Sequence, residues 1–364
     1  LGPLADLDSL EVLILTGNEV GDASALLDLT RLRELEVSQD PPPALAAVAS
    51  LLSERGVQVS LSNGSGGSGG GQARSRLAEV LHTALAFTSD RDGYYNLYVL
   101  LPDSTELKLT DFAGSDYSPA WSPDGKQLAF VRTQLPGSDI HLINADGTGL
   151  VRIEIPGLAE SEPAWSPDGR QLLVTGRPEG ATGYGATGLW LIELATAEAS
   201  LLLDDPILCE TGPSWSSDGA YIAYQVPLVE DWRQPEQIAR RGIYVGRAAD
   251  MHFDPVAPLS GRPTWHPTEH RFAYVSVGDE SVCIKDADGG SFAVLYTGNG
   301  SDGEHPESPA WSPDGQWIAF VSSSTNKSDL CVVRADGTGF VRLIENEPYY
   351  TKPWHLGSIA WKPR

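Results

Sequence analysis

Cysteine is almost absent from this chain. The three present, Cys209, Cys283 and Cys331, are an odd number with no Cys-x-x-Cys spacing, which argues against a zinc knuckle and against a disulfide framework. Reduced, buried thiols are expected; the cytoplasm is the expected compartment, with the periplasm or the cell exterior as alternatives, since a periplasmic protein can also lack disulfides. Positive charge is also scarce: 25 Lys and Arg stand against 49 Asp and Glu, for a formal charge of −24. The resulting field repels phosphate backbones and anionic lipid, so neither nucleic acid nor membrane is expected as a partner. No uninterrupted apolar run reaches the roughly 18 to 20 residues that span a bilayer. The opening LGPLADLDSL has no initiator Met and no basic, apolar leader, and it reads as a fragment of something longer. What remains, 41% hydrophobic and 20% charged over 364 residues, suffices for one large or two ordinary cores, which argues against general disorder.

Catalytic and metal motifs are equally thin. Gly66-Gly67-Ser68-Gly69-Gly70 fits Gly-x-Ser-x-Gly only formally, because it lies in a Gly/Ser tract and not at a strand-to-helix elbow. SDRDGYYN at 89 to 96 and DADGGS at 286 to 291 look like pieces of calcium loops but lack the twelve-residue ligand pattern and its terminal Glu. His266 and His270 do not form His-Glu-x-x-His. No catalytic residue, no metal and no cofactor is expected.

The stretch NGSGGSGGG at 63 to 71 has nothing to bury and a permissive backbone, so it reads as a flexible tether whose regularity also resembles a designed one. It sets the expected boundaries: a leucine-rich fragment with a C-terminal cap at 1–62, a linker at 63–77 and a second domain at 78–364. In the first segment Leu4, Leu7, Leu10, Leu13 and Leu15 recur 22 residues later as Leu26, Leu29, Leu32, Leu35 and Val37. Leu-x-x-Leu-x-Leu-x-x-Asn, from Leu10 to Asn18, resembles bacterial leucine-rich repeats, and it implies short strands on a concave face. Residues 44 to 56, ALAAVASLLSERG, carry apolar side chains at helical spacing and are predicted as a capping helix before the strand VQVSL. Glu11, Ile14, Arg33, Glu34 and Glu36 would lie on the concave face, where an ordinary solvated surface is the plainer reading.

Beyond the tether, Trp121, Trp165, Trp215, Trp265, Trp311 and Trp361 follow at spacings of 44, 50, 50, 46 and 50. SPAWSPDGKQLAFV at 118 to 131 returns nearly intact as SPAWSPDGQWIAFV at 308 to 321. Each unit reads as a Trp strand, a tight turn, an apolar strand, a third strand, an Asp-Gly turn and a fourth strand. Four strands per 40 to 50 residues is the signature of a propeller blade. In Ser-Pro-Asp-Gly, Pro presets φ, Asp bonds within the turn and Gly accepts positive φ. The unit carrying WHPTEH departs from this pattern, which leaves its turn undetermined. PAWSPDG…LAFV and DIHLINADGTG resemble the TolB-like propeller repeats of the WD-repeat-like kind, over about residues 84 to 364. The first unit, ALAFTSDRDGYYNLYVL, lacks a Trp strand, and GSIAW has only KPR after it. The two halves are expected to complete one blade, which removes a free sheet edge. The expected fold is mainly β: a six-bladed β-propeller with a small N-terminal α/β leucine-rich-repeat segment. One large residue per blade before the same turn is read as packing between blades and not as an aromatic ladder.

Strand order puts the loops between second and third strands, and the lead-ins to each Trp strand, on one face, here the near face. Loops free to vary on a rigid ring are where recognition sits. The expected channel-mouth residues are Asp116, Glu160, Glu162, Glu210, Arg262, His305, Glu307 and His355, with Glu304 beside them; Tyr184, Trp232 and Trp354 are the expected loop contacts. Most are acidic, and neighbouring carboxylates favour a positive ligand, so a protein or basic peptide is the expected partner, against the plainer reading of a solvated rim. The family resemblance implies that a partner's segment docks at the channel mouth. The function expected is non-enzymatic recognition by a monomeric fragment, the sensor or scaffold part of a larger bacterial protein. The competing expectation is a carbohydrate-active hydrolase or lyase using channel carboxylates.

Overall fold

A computed structural model describes residues 12–14, 34–38, 52, 55, 57–62, 80–134, 137–181, 187–203, 211–226, 241–258, 260–276, 280–298, 305–324, 328–344 and 356–364. The chain forms two compact units, Leu1–Arg76 and Leu77–Arg364. In the first, strands Val12–Ile14, Glu34–Ser38 and Gln58–Ser62 form a parallel sheet in that order, with Val12 opposite Glu34 and Glu34 opposite Gln58. Most of the helix predicted at 44 to 56, and Glu11 and Arg33, lie outside the described residues.

The second unit contains six antiparallel four-stranded sheets. Blade 1 runs outward from Ser115–Trp121 through Gln127–Gln134 and Gly137–Asn144 to Val151–Ile153. Blades 2 to 5 repeat this order, their innermost strands being Leu158–Trp165, Thr211–Trp215, Ser260–Trp265 and His305–Trp311. Blade 6 is composite. Its inner strand Leu356–Trp361 pairs with Leu85–Ser89, followed by Asn96–Leu100 and Glu106–Lys108. Ile359 stands opposite Phe87 and Trp361 opposite Leu85, so the two ends of the unit close the ring as the sequence leads one to expect.

The apolar core is divided among the six seams. Ala86, Leu97, Trp121 and Phe130 fill the seam between blades 6 and 1, and Ala129, Ile140, Leu172 and Ile192 that between blades 1 and 2. Ala223, Ile243, Trp265 and Phe272 do so between blades 3 and 4; Phe87, Trp317, Leu330 and Trp361 between blades 5 and 6. Each sheet therefore buries both faces, which is why second strands such as Leu85–Ser89 are apolar without alternation. Tryptophan adds direction to the packing. The indole N–H of Trp121 donates to the carbonyl of Ala360 at 3.2 Å, Trp165 to Ala120 at 3.0 Å, Trp265 to Ser214 at 3.1 Å and Trp311 to Thr264 at 3.1 Å. Each acceptor is the residue just before the Trp of the preceding blade.

The far-face turns are built alike. Ser122 Oγ donates to Asp124 and accepts from the Gln127 amide, while Gly125 takes φ +66°. The same bonds recur at Ser166 and Asp168, at Ser216 and Asp218, and at Ser312 and Asp314. In blade 4, where the sequence left the turn open, His266 takes over: its Nδ1 accepts from the amides of Thr268 at 3.2 Å and Glu269 at 3.1 Å. Cys283 and Cys331 are buried; Cys209 lies outside the described residues.

Trp121→Ala is expected to destabilise the propeller by about 3 to 5 kcal/mol, and Trp121→Phe by less, since the ring volume is largely kept and one hydrogen bond of about 1 kcal/mol is lost. Urea midpoints of the three proteins check the order.

Candidate functional site

Six innermost strands converge on a central channel, and each carries a β-bulge just before its Pro, or before Ile359 in blade 6. The bulge places one residue per blade at the near mouth: Ser118, Glu162, Gly212, Arg262, Ser308 and Ser358. The first five adopt φ between +50° and +57°, a conformation that costs energy for the four that are not Gly. Below them Pro119, Pro163, Pro213, Pro263, Pro309 and Ile359 form a waist. It separates a near-face cup of about 140 Å³ from a far-face funnel of about 390 Å³ walled by Trp265, Trp311 and Trp361.

Hydrogen bonds stitch the mouth across the seams. The Ser118 amide donates to Ser358 Oγ at 3.2 Å and the Gly212 amide to Glu162 Oε2 at 2.8 Å. Arg262 donates from Nη1 to Ser308 Oγ at 3.1 Å, and its amide to Gln225 Oε1 at 2.9 Å. Thr175 Oγ1 also donates to Glu162 Oε2. Tyr95 and Tyr117 pack at 5.0 Å on the same face, and burial, aided by the charge of Asp90, raises the Tyr95 phenol to about 12.

The expected acidic mouth is largely withdrawn from the channel. Asp116 is 0% exposed and grips Arg132 with two bonds of 2.7 and 2.8 Å, while Arg132 stacks on Phe112 at 4.3 Å. Glu160, at the equivalent position of blade 2, is also 0% exposed, and neither carboxyl oxygen has a hydrogen-bond partner. The registers explain the contrast: Asp116 stands opposite Arg132, whereas Glu160 stands opposite Gly176, whose side-chain space is taken by Trp190. Burial first, and the nearby charge of Asp139 second, raise the Glu160 carboxyl to about 8. Of the other expected residues, Glu162 and Arg262 line the cup. His305 and Glu307 are exposed beside it, with His305 Nδ1 3.1 Å from Glu280. Glu210, Glu304, His355, Tyr184, Trp232 and Trp354 lie outside the described residues. The serines of the ring and Gln225 were not anticipated, although the residue before each Pro-x-Trp marks the ring in the sequence. Among the described residues no group of three His, Cys, Asp or Glu side chains could hold a metal ion.

The two buried acids respond differently to change. Arg132→Met leaves Asp116 sealed without its cation and is expected to cost about 3 to 5 kcal/mol, measured by urea unfolding. Glu160 holds its proton in the folded state after an unfolded Glu, near 4.5, has lost it. Its stabilising contribution is therefore complete below about pH 4.5 and is lost as pH rises towards about 8. Glu160→Gln is expected to flatten this slope, so the variant gains on the parent in unfolding midpoint between about pH 5 and 8.

Comparison with known proteins agrees with this geometry. The family model described as TolB beta propeller domain matches residues 82–228. A TolB homolog of Chlorobium luteolum is 37% identical over 71 residues, 19% of this chain and 15% of that protein; the chain spans about a quarter or less of the curated relatives that it matches. Among solved structures, TolB from Acinetobacter baumannii superposes with a TM-score of 0.61 at 20% identity, over 78% of this chain and 67% of that one. Oligogalacturonate lyase from Vibrio parahaemolyticus gives 0.51 at 13% identity, over 74% and 76%. The second unit is thus a six-bladed β-propeller, similar in fold to TolB and matched by the TolB beta propeller domain over residues 82–228.

Proposed function

We propose that the propeller is a non-enzymatic recognition module that binds a protein or peptide segment at the near-face channel mouth. The observation that carries this reading is the ring of six bulged residues. A conformation costly for a side-chain-bearing residue is held at one position in blade after blade, by bonds across the seams, and it presents hydroxyls and charges to a narrow cup. A cup of about 140 Å³ admits a side chain or a chain end, with the surrounding loops free to touch the rest of an extended segment. The TolB homolog and the TolB structure support a protein-interaction or scaffold role, by analogy of fold.

The sugar-cleaving alternative draws on the fold shared with oligogalacturonate lyase. It needs carboxyl groups that reach a substrate. Asp116 is committed to Arg132, and Glu160, among the described residues the one carboxyl raised to about 8, is sealed from solvent. For the first unit, the 22-residue spacing and the parallel register of Val12 with Glu34 support successive leucine-rich repeats. Two recognition folds in one chain suit a sensor or scaffold within a larger bacterial protein.

Peptides selected on the full chain from a display library are expected to bind at least tenfold more weakly to Ser308→Trp, which fills the cup, and unchanged to Lys126→Glu on the far face. Incubation with polygalacturonate is expected to release no unsaturated product. Release that is abolished by Glu162→Gln would instead establish the lyase reading.

A further inference from the structure

The ring position is occupied by three serines, one glycine and two charges of opposite sign. The charges differ in what they have left to offer. Glu162 Oε2 accepts two bonds, from the Gly212 amide and from Thr175. Arg262 is exposed and spends a single guanidinium donor, Nη1, on Ser308 Oγ, a neutral acceptor. Among the described residues no carboxylate pairs with it, although the chain carries 49 Asp and Glu. Its backbone is held as well, by φ +53° and by the bond from its amide to Gln225, so the guanidinium starts from a fixed point at the mouth. Two hydroxyls share the cup with it. Ser308 Oγ accepts from Arg262 and Ser358 Oγ accepts from the Ser118 amide, so the hydrogen of each remains to be donated.

A planar fork with unspent N–H groups and two hydroxyl donors at one narrow opening is a receptor for a carboxylate. Resting on the reading of the mouth as a peptide-docking site, we propose that the cup takes the side-chain carboxylate of an Asp or Glu, carried at the tip of an extended partner segment and held by Arg262 with Ser308 and Ser358. Glu162, on the other side of Gly212, repels a second anion, so one acid is admitted and not a run of them. The field of a chain with charge −24 draws in flanks that are neutral or basic. The preferred segment is therefore basic or neutral along its length with a single acid at its centre. This reverses the local charge expected from the lead-in sequences, because Asp116 and Glu160 do not reach the mouth.

The test is a library of C-terminally amidated nonapeptides whose central residue is Asp, Glu, Asn or Gln, panned on the full chain, with affinities of the retained peptides measured by fluorescence polarisation. Retained peptides are expected to carry Asp or Glu, and changing that acid to its amide is expected to weaken binding by about tenfold or more. The same change should matter less than about twofold for Arg262→Gln, while Arg170→Gln, an exposed arginine on the far face, keeps the full discrimination. If retained peptides bind through the mouth but show no preference for the acid, or keep that preference on Arg262→Gln, the carboxylate site is overturned and peptide docking stands. If binding requires a free C-terminal carboxylate, the side-chain assignment is overturned. Failure of every peptide to be retained overturns both readings.

Discussion

Backbone pairing between Leu356–Trp361 and Leu85–Ser89 is the constraint on which the second unit depends. These strands are separated in sequence by nearly the whole propeller, and their ladder is what makes blade 6 a four-stranded sheet. Without it blade 6 would present an open inner edge, and both the 5–6 and 6–1 seams would lose a wall that includes Trp361 and Ala360. Because the apolar core is parcelled into six seams, no central mass exists to compensate for one that opens. The channel owes its shape to the same pairing, since Ile359 and Ser358 supply the sixth segments of the waist and the mouth.

The near mouth and the far turns use polar groups for opposite ends. At the far turns Ser and Asp are consumed by the backbone of their own turn, which lowers the Asp124 carboxyl to about 2 through bonds from Ser122 and Lys126. At the near mouth the backbone is bent by bulges so that side chains bond across seams and retain donors. Repetition thus yields rigidity on one face and a receptive opening on the other. The two buried acids behind the mouth are kept out of it in different ways: Asp116 is neutralised inside a seam by Arg132 and Glu160 is kept protonated, while Glu162 lines the cup.

The tryptophan spacing disclosed the blades, their number and the closure, because it reports a period long enough to define a sheet and a residue large enough to fill a seam. The mouth was legible only in part. Asp116, Glu160 and Glu162 look alike in the lead-ins SDYSPAW and LAESEPAW, yet a single extra residue at the bulge sends Glu162 to the channel and turns the other two inward. Local sequence does not announce a bulge when the residue taking positive φ is Glu or Arg instead of Gly. The role of His266 was hidden too, since an imidazole nitrogen replacing a serine hydroxyl as turn acceptor leaves no pattern to read.

Three indole bonds point backwards along the chain, from blades 2, 4 and 5 to the blade made before each. During synthesis a newly emerged blade therefore meets an acceptor that is already in place, and assembly can proceed stepwise behind the ribosome. Trp121 alone breaks that order. Its acceptor, Ala360, lies in Leu356–Trp361, which follows every other propeller strand in the chain, so the earliest of these four indoles is the last to be satisfied, and until then the leading hairpin waits with an unpaired edge.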